Sequence, residues 1–154
     1  MEHGTGVFSA IEHSALGLLV RDSLWLYPAA NVLHVLSVVV FFASVAVMDL
    51  AVLRALPGAQ IFTIIDRVRP FAAAALTLLV LTGSILFVAE ANALVRNPAF
   101  LAKMATIAAA LVNVAVFEQA ARDGRETAGL RLMAGLSLGL WLLVAALGRF
   151  IAYA

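Results

Sequence analysis

The chain has 154 residues, of which 64% are hydrophobic and 12% charged, and its formal net charge is +1. A soluble domain is about 45–50% apolar and about 25% charged, so composition predicts an integral membrane protein and argues against a nucleic-acid partner. The lack of cysteine excludes disulfides, thiolate metal sites and covalent haem attachment.

Residues 1–24 are predicted to form a polar tail and an amphipathic helix that lies in the membrane interface. From residue 7 onward, apolar side chains such as Val7, Ile11 and Leu18 fall on one arc of a helix, and His13 falls opposite. The first residues lack the basic region of a signal peptide, so the first span is expected to direct insertion.

Four apolar stretches follow, and each is long enough to cross a bilayer, which takes about 20 residues. They lie at about 25–53, 70–93, 99–121 and 130–153. Residues 61–65 are predicted to form a separate surface helix, and Pro70 to begin the second span, which then contains Glu90. Asn97 is expected to cap the third span. The predicted fold is an all-α integral membrane protein, in which residues 25–154 form a four-helix transmembrane bundle.

The first span carries a stripe of polar and aromatic side chains. At about 100° per residue, one side of the helix contains Tyr27, Asn31, His34, Ser37, Phe41, Ser44, Met48 and Asp49. A polar stripe on a membrane helix must face protein or water rather than lipid, so His34 is expected to point at other helices.

The distribution of basic residues predicts the orientation in the membrane. Six arginines, Arg54, Arg67, Arg69, Arg122, Arg125 and Arg131, flank one side of the spans. That side is expected to be cytoplasmic by the positive-inside rule. The protein would then lie in a bacterial inner membrane with both termini in the periplasm.

Charged residues within the spans are costly in lipid, at about 2.5–3.5 kcal/mol each on insertion scales, and are expected to pair. Glu90 is predicted to pair with Lys103 or Arg149. Asp49 is predicted to pair with Arg54, Arg67 or Arg131. Together with Glu118, these residues are interpreted either as structural ion pairs or as functional groups.

His34 has three interpretations. In the first interpretation, His34 is a ligand for haem or copper, because neutral imidazole is the commonest metal ligand in proteins. Alternatively, it binds a proton or a substrate, or it forms a helix–helix hydrogen bond to an Asn or Glu side chain. For haem b or copper near the periplasmic face, Asn31 would lie beside the ligand, and Lys103 and Arg149 would neutralise propionates. Only His3 and His13 could supply a second imidazole.

The chain resembles a family of uncharacterised bacterial inner-membrane proteins with four spans. The matching motifs are Trp25-Leu26-Tyr27-Pro28, Leu33-His34, Asp49 with Arg54, Arg69, Thr82-Gly83, Asn97-Pro98-Ala99-Phe100 with Lys103, Gly148-Arg149 and Ala152-Tyr153. The family is more distantly similar to the membrane domains of copper-resistance-D-type proteins. It often has a histidine near the end of span three, where this chain has Phe117-Glu118.

The sequence contains no catalytic triad, P-loop, dinucleotide fingerprint or zinc motif, so a stand-alone enzyme is not expected. The leading hypothesis is a redox-associated membrane protein that takes part in electron transfer through haem or copper on His34. The alternatives are a cofactor-free accessory subunit or scaffold of a larger membrane complex, and a small-solute carrier. A larger membrane or periplasmic redox complex is the expected protein partner.

Overall fold

A computed structural model describes residues 6–54, 58–123 and 127–153, which are helical apart from short connections. The helices are α1 (Val7–Glu12), α2 (Ala15–Asp22), α3 (Leu26–Leu53), α4 (Gly58–Ala89), α5 (Ala91–Leu94), α6 (Pro98–Arg122) and α7 (Thr127–Phe150), and a 3-10 turn (Ile151–Tyr153) follows. No strand occurs within these ranges. The all-α prediction is confirmed.

Four of the helices are long and apolar enough to cross a membrane. These segments are Leu26–Leu53, Gln60–Ala89, Pro98–Arg122 and Ala128–Tyr153. Few of their large apolar side chains are buried and many are exposed, as expected of helices whose outer surfaces contact lipid rather than water. The protein is therefore a multi-pass membrane protein with four candidate spans.

The predicted interfacial helix is broken in two. Chain direction changes at His13 and Ser14, where the Ser14 hydroxyl accepts a hydrogen bond from the backbone N–H of Gly17 and caps α2. A Cβ on Gly17 would lie 2.3 Å from the carbonyl oxygen of Glu12, so only glycine permits this approach. One continuous helix from residue 7 to residue 24 was therefore the wrong prediction.

The second span differs from its prediction at both ends. Residues 61–65 belong to α4, which continues through Pro70 instead of starting there. Proline removes one backbone hydrogen bond, and membrane helices tolerate this loss where side chains or water satisfy the freed carbonyl. The helix ends at Ala89, so Glu90 lies outside the span, at the N-cap of α5.

The helices pack in the order α4, α3, α7, α6. Helix α3 lies along α4 and α7, and α6 lies along α7, whereas α4 and α6 make no comparable contact among the described residues. The shared core lies at mid-height, where Phe41 of α3 packs edge-on against Trp141 of α7 with ring centroids 4.6 Å apart. The arc leaves a gap between α4 and α6.

The two ends of the bundle differ in what covers them. At the capped end, α1, α2 and α5 pack against α4, and Phe8, Phe87 and Phe100 form a chain of aromatic contacts. At the opposite end, called the loop end, α3 and α6 finish and α4 and α7 begin. The predicted cap on the third span is confirmed, because Asn97 Oδ1 accepts hydrogen bonds from the N–H groups of Ala99 and Phe100.

Candidate functional site

His34 lies on the inner side of α3, between the core and the capped end. Its Nδ1 is 2.8 Å from the hydroxyl oxygen of Thr82 on α4. The Thr82 hydroxyl donates its own proton to the carbonyl of Leu78, so the imidazole is the donor between the two side chains. This assignment places the proton on Nδ1 and leaves the lone pair on Nε2 of a neutral ring.

Two glycines shape the surroundings of His34. A Cβ on Gly83 would lie 3.3 Å from His34 Cε1, so the glycine lets α4 approach the ring closely. The Lys103 side chain lies over Gly148, where a Cβ would be 3.5 Å from Nζ. Lys103 is also near enough to interact electrostatically with His34. The histidine and the lysine therefore lie in the same region of the bundle.

The other residues predicted for this region, Asn31, Glu90 and Arg149, are all exposed. Asn31 is exposed on the outside of α3. Arg149 is exposed, and its guanidinium donates to the Tyr153 hydroxyl and lies over the same ring. Glu90 accepts a hydrogen bond from the Tyr27 hydroxyl at 3.1 Å, so its predicted pairing with Lys103 or Arg149 is wrong. The reason is that α4 ends at Ala89, so that Glu90 lies outside the span and is exposed at the capped end.

The surroundings of His34 supply few further metal ligands. His13 is exposed in the turn between α1 and α2, where its Nδ1 contacts the carbonyl of Ser9, and His3 lies outside the described residues. Within the described ranges, no three His, Cys, Asp or Glu side chains are grouped as a metal site would need. The described residues therefore offer haem or copper one imidazole ligand, His34, with Lys103 nearby.

A cavity of about 230 Å³ lies in the gap between α4 and α6, toward the loop end, and is partly open to the outside. Helices α3 and α7 form its inner wall. It is lined mainly by apolar side chains, and the polar or charged ones are Asp49, Arg69, Asn113, Glu118 and Ser137. By helical rise, Asp49 lies about 12 Å from Phe41 along α3.

Two buried polar atoms at this cavity have no hydrogen-bond partner among the described residues. They are Asp49 Oδ2 and Trp141 Nε1. The Ser137 hydroxyl stabilises the Asp49 carboxylate, but no described lysine or arginine pairs with it. The indole of Trp141, which is only 6% exposed, packs against Phe41 without a bonded N–H.

The predicted pairing of Asp49 with Arg54, Arg67 or Arg131 is therefore wrong. Arg54 follows five residues after Asp49, which places it about 140° around the helix, and it is exposed. Arg131 instead donates to the backbone carbonyl of Leu53, one of the free carbonyls at the end of α3. Arg67 is exposed on α4.

One ion pair crosses the gap between α4 and α6 at the edge of the cavity. Arg69 Nη2 lies 2.7 Å from Glu118 Oε1, and Arg122 contacts the other oxygen of Glu118 at 3.3 Å. The sequence identified Glu118 and Asp49 as charges within the spans, but it did not reveal the cavity that both side chains line. The sequence feature that pointed to the cavity is the occurrence of polar residues, such as Asp49, Asn113 and Glu118, near the ends of different spans.

A family model described as "Family of unknown function (DUF6644)" matches residues 7–154. No curated protein and no solved structure matches the chain. The match agrees with the predicted resemblance to an uncharacterised family. The more distant likeness to copper-resistance-D-type membrane domains stays a prediction.

Proposed function

Since the chain belongs to this family, whose function is unknown, we propose a function from its geometry: it binds a small lipophilic molecule in the cavity between α4 and α6. The observation that carries this proposal is the pair of unpartnered buried atoms, Asp49 Oδ2 and Trp141 Nε1, on residues that line the same cavity. A buried polar group without a partner costs about 1–3 kcal/mol. Once the side chains that cover these two atoms shift, a ligand that donates to the carboxylate and accepts from the indole would recover that cost.

The size of the cavity limits the ligand. At about 30 Å³ for each water-sized group, 230 Å³ holds on the order of eight such groups. Ligand pockets usually occupy about 300–1,000 Å³, so the bound part is small. A larger molecule would place only its polar end there and leave its apolar part between α4 and α6.

The surroundings of the cavity support entry from the bilayer. Helices α4 and α6 do not pack closely along their length, and the cavity is partly open in that gap. Its walls are mainly apolar, as in most small-molecule sites. A molecule dissolved in the lipid therefore reaches Asp49 without passing through the packed core around Phe41 and Trp141.

The intrinsic fluorescence of Trp141 provides the test. The chain has two tryptophans, so Trp25→Phe leaves Trp141 as the sole emitter. Ala73 lines the cavity and its exposed neighbour Ala74 does not, which makes Ala73→Phe and Ala74→Phe a matched pair. In detergent, small lipophilic molecules with a donor and an acceptor should change the emission saturably. Ala73→Phe should weaken binding at least tenfold, and Ala74→Phe should leave it unchanged.

Two results would contradict the proposal. One is that no molecule in a broad set of lipophilic donors and acceptors saturates the signal, which would indicate that water alone satisfies the two atoms. The other is equal binding by the Ala73→Phe and Ala74→Phe proteins.

As a second candidate function, we propose that His34 binds haem b or copper in a redox-associated membrane protein. The supporting observation is that Thr82 holds Nδ1 and leaves the Nε2 lone pair free, which is the state in which histidine binds metals. The geometry supports this function less well than the first, since no three typical ligand side chains are grouped together in the described chain. A haem would supply electron transfer, and His34 would hold its iron.

Absorption spectra and metal analysis of protein purified from its native membrane test the second candidate. A Soret band or stoichiometric copper is expected, and His34→Ala should abolish it. A protein that lacks both would contradict the haem and copper hypothesis while leaving the cavity proposal intact.

We further propose that the protein lies in a bacterial inner membrane with the loop end in the cytoplasm and both termini in the periplasm. The support is the concentration of arginine at the loop end, including Arg54, Arg69, Arg122 and Arg131.

A further inference from the structure

Resting on the proposed binding function, we infer that the ligand is a lipophilic organic cation, which Asp49 binds in exchange for a proton. The observation behind this inference is the balance of charge around the cavity. Three charged side chains line it, one on each of three helices: Asp49 on α3, Arg69 on α4 and Glu118 on α6.

Two of these charges neutralise each other. Arg69 and Glu118 form an ion pair at 2.7 Å, and Arg122 of α6 adds a second contact to Glu118. From α7, the cavity receives the neutral side chains of Met133, Ser137 and Trp141. Arg131 of α7 is held by the Leu53 carbonyl. Asp49 is therefore the charged group of the cavity without an opposite charge in the described chain.

An unpaired carboxylate away from water is unfavourable, and it is relieved either by a proton or by a cation. The proton and the cation compete for the carboxylate, because both would bind the same oxygen, Asp49 Oδ2, which lacks a partner. Cation binding to the protonated acid breaks the carboxyl O–H bond and releases one proton. The electron pair of that bond stays on the carboxylate, and the cation balances the charge.

The remaining walls suit an organic cation better than a hydrated metal ion. Phe41, Phe117 and Trp141 line the cavity, and aromatic faces attract cations through their quadrupoles. Most of the other lining side chains are aliphatic. Such walls cannot replace the oxygen ligands that a hard metal ion needs, but they bury alkyl and aryl groups well. The lateral opening further favours molecules that partition into lipid.

Two probes of nearly equal shape separate charge from hydrophobicity. Benzyltrimethylammonium carries a permanent charge, and neopentylbenzene replaces its nitrogen by carbon. Both are titrated against the Trp25→Phe protein in detergent, with Trp141 emission as the signal. The cation is expected to bind at least tenfold more tightly than the neutral probe.

Two variants and one direct measurement complete the experiment. Asp49→Asn should weaken the cation at least tenfold and affect the neutral probe little. Asp66→Asn, which removes an exposed carboxylate outside the cavity, should change neither. In weakly buffered solution, an indicator should register up to one proton released for each cation bound. Cation affinity should fall by up to tenfold per pH unit below the titration of Asp49.

The possible failures are distinguishable. If neopentylbenzene binds as tightly as the cation, or if cation binding releases no proton at any pH, the inference is overturned and the cavity still binds lipophilic molecules. If Asp49→Asn does not fold, proton release by the unsubstituted protein still decides the matter. If neither these probes nor any other molecule binds, the proposed function itself fails.

Discussion

The Nδ1 atom of His34 lies 2.8 Å from the Thr82 hydroxyl oxygen and joins α3 to α4 between the core and the capped end. A helix–helix hydrogen bond was one of three interpretations of the histidine, but its partner is Thr82 instead of the expected Asn or Glu. It does not exclude a ligand on Nε2, because the bond uses only one of the two ring nitrogens.

The His34–Thr82 hydrogen bond predicts a measurable coupling between the two residues. Hydrogen bonds between membrane helices contribute about 0.6 kcal/mol on average and up to about 1.7 kcal/mol. The double-mutant cycle of His34→Ala and Thr82→Val should give a coupling in that range when unfolding is followed in mixed micelles. Strictly additive effects would show that the bond contributes no stability. Ser84→Ala, which removes a hydroxyl that bonds within α4, serves as the control.

The ion pair between Arg69 and Glu118 predicts a small, salt-dependent coupling between α4 and α6. Both side chains are partly exposed, at 53% and 32%, and exposed pairs contribute about 0–1 kcal/mol. The cycle of Arg69→Gln and Glu118→Gln should therefore give less than about 1 kcal/mol in unfolding experiments, and added salt should reduce the value. A coupling several times larger would mean that the pair is shielded from water.

Asn97 predicts a difference between two substitutions at one position. Its Oδ1 caps α6, and its Nδ2 donates to the Ile151 carbonyl at 3.1 Å. Asn97→Ala should lower the free energy of unfolding by about 1–2 kcal/mol. Asn97→Asp keeps the capping oxygen and should cost clearly less. Equal losses in the two variants would assign the effect to the Ile151 contact instead of the cap.

The close approach of Gly17 to Glu12 predicts that a larger residue at position 17 loosens the packing of α1 and α2 at the capped end. Gly17→Ala would drive its new methyl group into the Glu12 carbonyl, whereas Gly6→Ala meets no atom within 4 Å. Hydrogen exchange of residues 7–22 should therefore accelerate in the first variant and stay unchanged in the second. Unaltered exchange in Gly17→Ala would mean that α1 and α2 adopt another arrangement.

The orientation in the membrane can be tested because the chain has no cysteine of its own. Asn92→Cys places a thiol at the capped end, and Gln60→Cys places one at the loop end. An impermeant maleimide applied to intact spheroplasts should label the former and not the latter. Labelling of the latter alone would reverse the proposed topology.

The four spans could be predicted from the sequence, because lipid requires long apolar helices that satisfy their own backbone groups. The cap at Asn97 was equally readable, since it depends on residues adjacent in the chain. The first and last residues of α4 could not be predicted in this way, because a membrane helix can continue through Pro70 when its surroundings satisfy the freed carbonyl.

The polar contacts between helices were decided by the tertiary structure alone. Sequence spacing gives the side of a helix on which Asp49 or His34 lies, but not which neighbouring helix meets that side. Helix order, rotation and end points turned Asp49 toward Ser137, Glu118 toward Arg69 and Glu90 toward Tyr27. The cavity also arises from this order, since it lies where α4 and α6 fail to close the bundle. The apolar exterior is thus a property of composition, whereas the partners of each buried polar group depend on how whole helices pack.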